Sequence, residues 1–238
     1  MPGLVRHTGT VWAPNLPGWR RIPLARLLKR RLRVPVVVES DRNAAVLGEA
    51  WRGAARGKSD VIALIVGTGI GAGILSGGAL VRGAHELSGC AGWMALGEEQ
   101  SRESRRVGWL EALVAGPGIA RAARQQKTSR GQITALDLAR IARRGDTRAR
   151  KLFARVGRLL GLAVANLISL FDPEVIVLGG GLAGAADLYF RPLRKTALER
   201  CQPLAGQQVQ IRVSRLGSDA NLLGVAQLAW EAARRGAG

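Results

Sequence analysis

Hydrophobic and polar positions along the chain follow two rhythms. Val61, Ile62, Leu64, Ile65 and Val66 form a short apolar run dense in β-branched residues, the composition of a buried strand. From Gly67 to Gly73 (GTGIGAG) a glycine then stands at every second position. Backbone of that kind can turn sharply, lie bare against a ligand and aim amide N–H groups at an anion. Ile74-Leu75 resumes a strand, Gly77-Gly78 turns the chain, and Ala79-Leu80-Val81 follows. Val34–Glu39 (VPVVVE), Val175–Leu178 and Val209–Val213 read as further strands. Helical spacing of apolar residues marks Pro23–Arg33, Asn43–Arg52, Thr134–Arg143, Thr147–Leu170 and Asp219–Arg234. Shorter helices are expected at Trp109–Leu113 and Ile119–Arg124, separated by Ala115-Gly116-Pro117-Gly118. Trp12–Trp19 (WAPNLPGW), Arg82–Trp93 and Gly97–Val107 read as loops. Strand–helix alternation with glycine turns at strand ends indicates an α/β fold whose ligands sit at those turns.

Composition narrows the class without naming a function. The 238 residues are 47% hydrophobic, ample for a sizeable core in one or two domains. The apolar stretch Leu159–Leu170 is interrupted by Asn166 and Ser169 and closed by Asp172-Pro173, so no membrane span is expected. The N-terminus lacks a basic-then-apolar signal pattern, which makes the cytoplasm the default. Cys90 and Cys201 make no disulfide framework. The net charge of +19 invites a nucleic-acid reading. Its clusters, however (Arg20-Arg21, Lys29–Arg33, Arg102–Arg106, Arg148–Arg158), lie mostly on helical patterns. Charge runs there are usually solvated faces, and no nucleic-acid module is recognisable, so nucleic acid is not expected through this chain alone.

Two places carry candidate chemistry. The glycine stretch is a phosphate cradle in form, although no Lys-Ser/Thr follows it and the dinucleotide G-x-G-x-x-G spacing is absent. A glycine hairpin by itself serves structure as readily as binding. Asp41 stands between the end of one predicted strand and the start of a helix, where a carboxylate serves either as an N-cap or in catalysis. In isolation the cap is the simpler reading.

Three segments in order, APNLPGW with VPVVVESDRNAAVLGEAWRGAARG, VGTGIGAGIL with GALVRGA, and FDPEVIVLGGGLA with GSDANLLGVAQLA, together resemble the ROK family of repressors and sugar kinases. The resemblance implies the actin-like ATPase fold, two ribonuclease-H-like domains with sugar and ATP, accompanied by Mg2+, between them. It makes Asp41 the catalytic base and sugar contact, with Ser40 beside it where the family usually has Asn. It places Gly67, Thr68 and Gly69 in the phosphate loop and Gly179, Gly180 and Gly181 beneath the adenosine. It also divides the chain into a sugar-side remnant, residues 1–59, and a nucleotide-side domain, residues 60–238, whose last helix returns to the first.

Departures from the family pattern shape the remaining expectations. Cys90 and Trp93 stand where a Glu and a zinc-ligating, sugar-binding His usually do. Arg102, Ser104 and Trp109 replace zinc cysteines, and only Gly108, Leu110 and Glu111 of that motif remain. No structural zinc is therefore expected; Trp93 and Trp109 are expected to fill its place with apolar volume. The family's D-x-G-G-T turn has no counterpart, so an incomplete N-terminal domain and little or no phosphorylation by these residues alone are expected. The reading is a glucokinase-like, ATP-dependent sugar kinase by descent, acting as a homodimer. Its alternatives are the sugar-sensing domain of a ROK-type transcriptional regulator without its helix-turn-helix, and a non-catalytic remnant that acts by dimerising.

Overall fold

The structure, a computed structural model, describes residues 3–13, 16–126 and 133–236. In chain order it contains β1 (Leu4–Val5), β2 (Val11–Trp12), α1 (Leu24–Leu32), α2 (Asp41–Arg52), β3 (Val61–Val66), β4 (Ile70–Ser76) and β5 (Ala79–Leu80). Then come α3 (Arg102–Val107), α4 (Trp109–Val114), α5 (Gly116–Gln125), α6 (Ala135–Arg143), α7 (Thr147–Phe171) and β6 (Val175–Gly179). The chain closes with α8 (Ala186–Arg200), α9 (Pro203–Gln208), β7 (Gln210–Val213) and α10 (Asp219–Gly236). β1 and β2 pair with each other, and the main sheet has the order β5-β4-β3-β6-β7. β4 runs antiparallel to β3 and β5, whereas β6 runs parallel to β3 and β7.

Alternation along the central strands builds a three-layer core. Val61 and Ala63 of β3, with Val175 and Val177 of β6, face Val46 and Leu47 of α2. Ile62, Leu64 and Val66, with Ile176 and Leu178, face the other way, into the helices from α4 to α8. Side chains of successive strand residues point to opposite faces, so a strand covered on both sides reads as a continuous apolar run. Helix α7 is long and apolar enough to cross a membrane by length and composition, but 61% of that apolar window is buried inside the fold. It is the central core helix, with Leu152, Phe153, Val156, Leu160 and Val164 all buried.

The structure departs from the sequence expectations at four points, each with a packing reason. The glycine turn is shorter than the run of glycines, because Gly71 and Gly73 lie within β4. A Cβ on Gly73 would stand 2.1 Å from the Arg42 carbonyl oxygen, so glycine there lets the backbone of α2 rest on the sheet. VPVVVE forms no strand among the described residues. Pro35 offers no N–H, and Val34 and Val37 remain exposed. Arg102–Val107, expected as loop, is a helix started by a reciprocal capping box between Ser101 and Ser104. Finally, Trp93 is 58% exposed, whereas Trp109 packs against the core and donates from Nε1 to the Glu99 carbonyl; only the second fills apolar volume. Pro14 and Asn15, at the centre of the expected WAPNLPGW loop, lie outside the described residues.

The first long helix and the last are in close contact. A Cβ on Gly48 of α2 would fall 1.9 Å from the Ala220 carbonyl oxygen, and one on Gly224 of α10 would fall 1.8 Å from that of Ala44. Two glycines, one per helix, thus let the backbones touch.

Candidate functional site

Parallel pairing of β3 and β6 brings two glycine turns to one edge of the sheet. Ile65 is paired with Gly179, so both strands end at the same level. After β3 the chain turns within three residues, with the Gly67 N–H donating to the Gly69 carbonyl at 2.9 Å. Thr68 is left exposed at the tip. The Gly67 carbonyl accepts from the N–H of Gly116, the first residue of α5, at 2.8 Å, which ties the turn to that helix. After β6, Gly180 adopts φ +84° and lies against the Val66 carbonyl, where a Cβ would come within 2.5 Å. Gly181 follows beside Gly67, and a Cβ on it would meet nothing within 4 Å.

Helix α2 presents the carboxylate. Its N-cap is Ser40, whose hydroxyl accepts from the Asn43 N–H at 3.4 Å, so Asp41 is the first helical residue and not the cap. Ser40 is buried, with its hydroxyl turned to the helix. Behind it, buried Glu39 accepts from the Ser40 N–H at 2.8 Å and from Asn43 Nδ2 at 2.9 Å, and pairs with Arg82 at 2.6 Å. Burial works to raise the Glu39 pKa, yet these partners together hold it below the usual carboxylate value. The start of α2 is therefore fixed by a buried polar network.

Asp41 and the glycine turn share one cleft of about 330 Å3, lined also by Arg42, Ile65, Ile70, Gly71, Glu111 and Asn221. Its size suits a small-molecule site. Glu111, from α4, accepts from the Ile70 N–H at 2.7 Å and lies against Gly69 and Gly92, where added Cβ atoms would come within 2.9 Å. Burial holds its carboxyl above the usual range, against the opposing effect of the Ile70 bond. The sequence pattern singles out neither for chemistry: Asn221 lies within GSDANLLGVAQLA, and Glu111 is a remnant of the zinc pattern. The available signals were an Asn in the first turn of a helix and a Glu three residues after a glycine. Gly179, Gly180 and Gly181 stand beside the turn but do not line this cleft, nor does Ser40.

The residues at the positions of the family's zinc ligands have other structural roles. Ser104 is used in its capping box, Arg102 heads α3, and the Trp109 ring packs on Gly97. No group of three or more His, Cys, Asp or Glu side chains among the described residues could hold an ion.

The ROK family model matches residues 1–232. The glucokinase of Thermotoga maritima is 34% identical over 244 residues, covering 95% of this chain and 76% of that protein. The xylose repressor of Caldicellulosiruptor bescii is 29% identical over 238 residues, covering 94% of this chain and 59% of its own length. Among solved structures, the ROK family glucokinase from Streptomyces griseus in complex with glucose and AMPPNP has a TM-score of 0.81 at 31% identity, over 96% of this chain and 79% of that one. The fold is thus that of the ROK kinases, the actin-like ATPase fold. With the sheet order, the paired glycine turns and a match along nearly its whole length, this chain belongs to the ROK family.

Proposed function

We propose that the chain serves ATP-dependent phosphoryl transfer to a hexose hydroxyl, with Asp41 as general base. The observation that carries this reading is the shared cleft: Asp41, Gly67, Thr68 and Gly69 line it together although they come from separate elements. The Asp41 carboxylate takes the proton of a sugar hydroxyl as that oxygen attacks, a task for a group fixed in place. The buried Glu39–Asn43–Arg82 network supplies that fixity, and Ser40 serves the sugar side by setting the start of α2. Glu111 faces the same cleft and is placed to accept from a second hydroxyl.

The bare turn fits a nucleotide: Gly181 leaves open space, and Gly67, Thr68 and Gly69 present backbone and one hydroxyl without bulk. These residues would hold the phosphates, and Gly179, Gly180 and Gly181 the adenosine side. ATP bound there, with its Mg2+, supplies the phosphoryl group. In function we divide the chain into a sugar side, residues 1–59, which carries Asp41, and a nucleotide side, residues 60–238, which carries both glycine turns, with α10 returning to α2. The working unit in this reading is a homodimer in the cytoplasm.

The test is ADP formation with glucose and other hexoses, read beside nucleotide binding. In protein that shows turnover, including a form that carries the family's D-x-G-G-T turn, Asp41→Asn should lower it by about 10²–10⁴-fold while nucleotide affinity stays within about twofold. Full turnover by that variant would remove Asp41 from the chemistry.

The similarity to a xylose repressor supports a second reading, a sugar sensor without catalysis. Sugar binding at the cleft with no nucleotide consumption under any condition would favour it.

A further inference from the structure

The cleft contains a charge that phosphoryl transfer to a neutral sugar does not use. Arg42 follows Asp41 in the first turn of α2 and lines the same cleft. A guanidinium carries a positive charge and several donors in a fixed fork. Among the described residues Arg42 forms no ion pair, and its side chain makes one hydrogen bond, a long one of 3.3 Å from Nη2 to the Glu86 backbone carbonyl. Its Nε is buried and has no partner. No ion pair joins the Glu86 carboxylate to Arg42 among the described residues. Glu86 Oε1 accepts from the His7 backbone N–H and lies 3.1 Å from the His7 ring, whereas Oε2, buried and without a hydrogen-bond partner, has Arg6 at 3.6 Å. Arg42 therefore reaches Glu86 only at the backbone oxygen.

Its neighbours in the cleft sharpen the point. The Arg42 stem crosses β4 at Gly71, where a Cβ would meet its Cδ at 3.6 Å. Glu111 meets the neighbouring residues Gly69 and Ile70, at the start of the same strand. Cys90 and Trp93, at the positions where the family usually has polar sugar contacts, do not line the cleft. The residues with polar side chains that line it are Asp41, Arg42, Thr68, Glu111 and Asn221. A neutral hydroxyl leaves most of the guanidinium fork unmatched, whereas a carboxylate can accept from it in a bidentate, charge-assisted pair.

We propose that Arg42 makes this cleft selective for a sugar that carries a carboxylate, such as a hexuronate, over the corresponding neutral hexose. The inference rests on the proposed function only in taking this cleft as the acceptor site. A bidentate pair in a half-buried setting is expected to favour the acid by about tenfold or more in affinity.

Calorimetric titration of the full chain with glucuronate, glucose and AMPPNP tests it. Glucuronate should bind at least about tenfold tighter than glucose. In Arg42→Ala glucuronate affinity should fall to that of glucose while AMPPNP affinity holds, and Arg42→Lys should retain the sign of the preference with a smaller ratio. Arg42→Gln, of similar length, is the second variant should the alanine form unfold. Glucose binding as well as glucuronate, with no change on substitution, overturns the selectivity and leaves the acceptor cleft standing. Binding of AMPPNP with neither sugar overturns the selectivity and the acceptor cleft together.

Discussion

Single carboxyl groups in this chain show how surroundings set a proton affinity, and two of them give opposite pH signatures. Glu111 is shifted upward by burial, so the folded state keeps its proton to higher pH than the unfolded chain does. Its contribution to stability is full below the unfolded value and is lost as pH rises through the folded one. Glu111→Gln should therefore flatten the fall in melting temperature as pH rises above the ordinary carboxylate range, while loosening the turn at Ile70. A variant that melts with the wild-type pH profile would contradict this. Glu174 is the reverse case. Lys58 at 2.8 Å and the N–H groups of Ser59 and Asp60 lower its pKa to about 2. Its contribution is present above the unfolded value and disappears as pH falls toward about 2. In Glu174→Gln the acid limb of the stability curve between about pH 4.5 and about pH 2 should become shallower, as a pH series of melts would show.

At the level of elements, glycines decide how closely helices and strands approach. The α2–α10 contact leaves no room for a methyl group at Gly48 or Gly224, with carbonyl oxygens 1.9 Å and 1.8 Å from the added Cβ. Replacing a helical glycine by alanine normally stabilises by about 1 kcal/mol. Here overpacking, about 1–3 kcal/mol or more, wins. Gly48→Ala and Gly224→Ala should each lower the melting temperature by several degrees, at about 2–4 °C per kcal/mol for a chain of this size. Gly181→Ala is the control. It meets no atom within 4 Å, so its melting temperature should stay within about 1 °C of wild type. Equal losses at all three positions would mean that the close helix contact is not what these glycines provide.

For the whole molecule, the question is whether its ligand site is the glycine edge of the sheet or the basic surface. With a net charge of +19, weak attraction to any polyanion is expected and should fade with salt. Adenine nucleotide should instead protect residues 67–73 and 179–181 in hydrogen exchange at moderate salt. Protection of residues 102–106 by DNA, with none from nucleotide, would reverse that ranking. Elemental analysis of protein never exposed to chelator should find no stoichiometric zinc, because Trp109 and Ser104 are already used in packing and capping. One equivalent of bound zinc would mean that the described residues do not account for its ligands.

Much of this was decided locally, and the sequence alone determined it. β3, β6 and α7 follow from runs and spacings that hold whatever surrounds them, since the two-residue and 3.6-residue periods are properties of the backbone itself. The turn at Gly67–Gly69 and a carboxylate at the start of α2 were legible for the same reason. Only the tertiary structure decided which hydroxyl caps α2, that Gly71 and Gly73 belong to a strand pressed by a helix, and that VPVVVE is left unpaired. It alone gathered Arg42, Glu111 and Asn221 around Asp41. Those outcomes depend on contacts between segments far apart in the chain, where a neighbour's backbone sets the space and the charge that a side chain meets, and no local period records them.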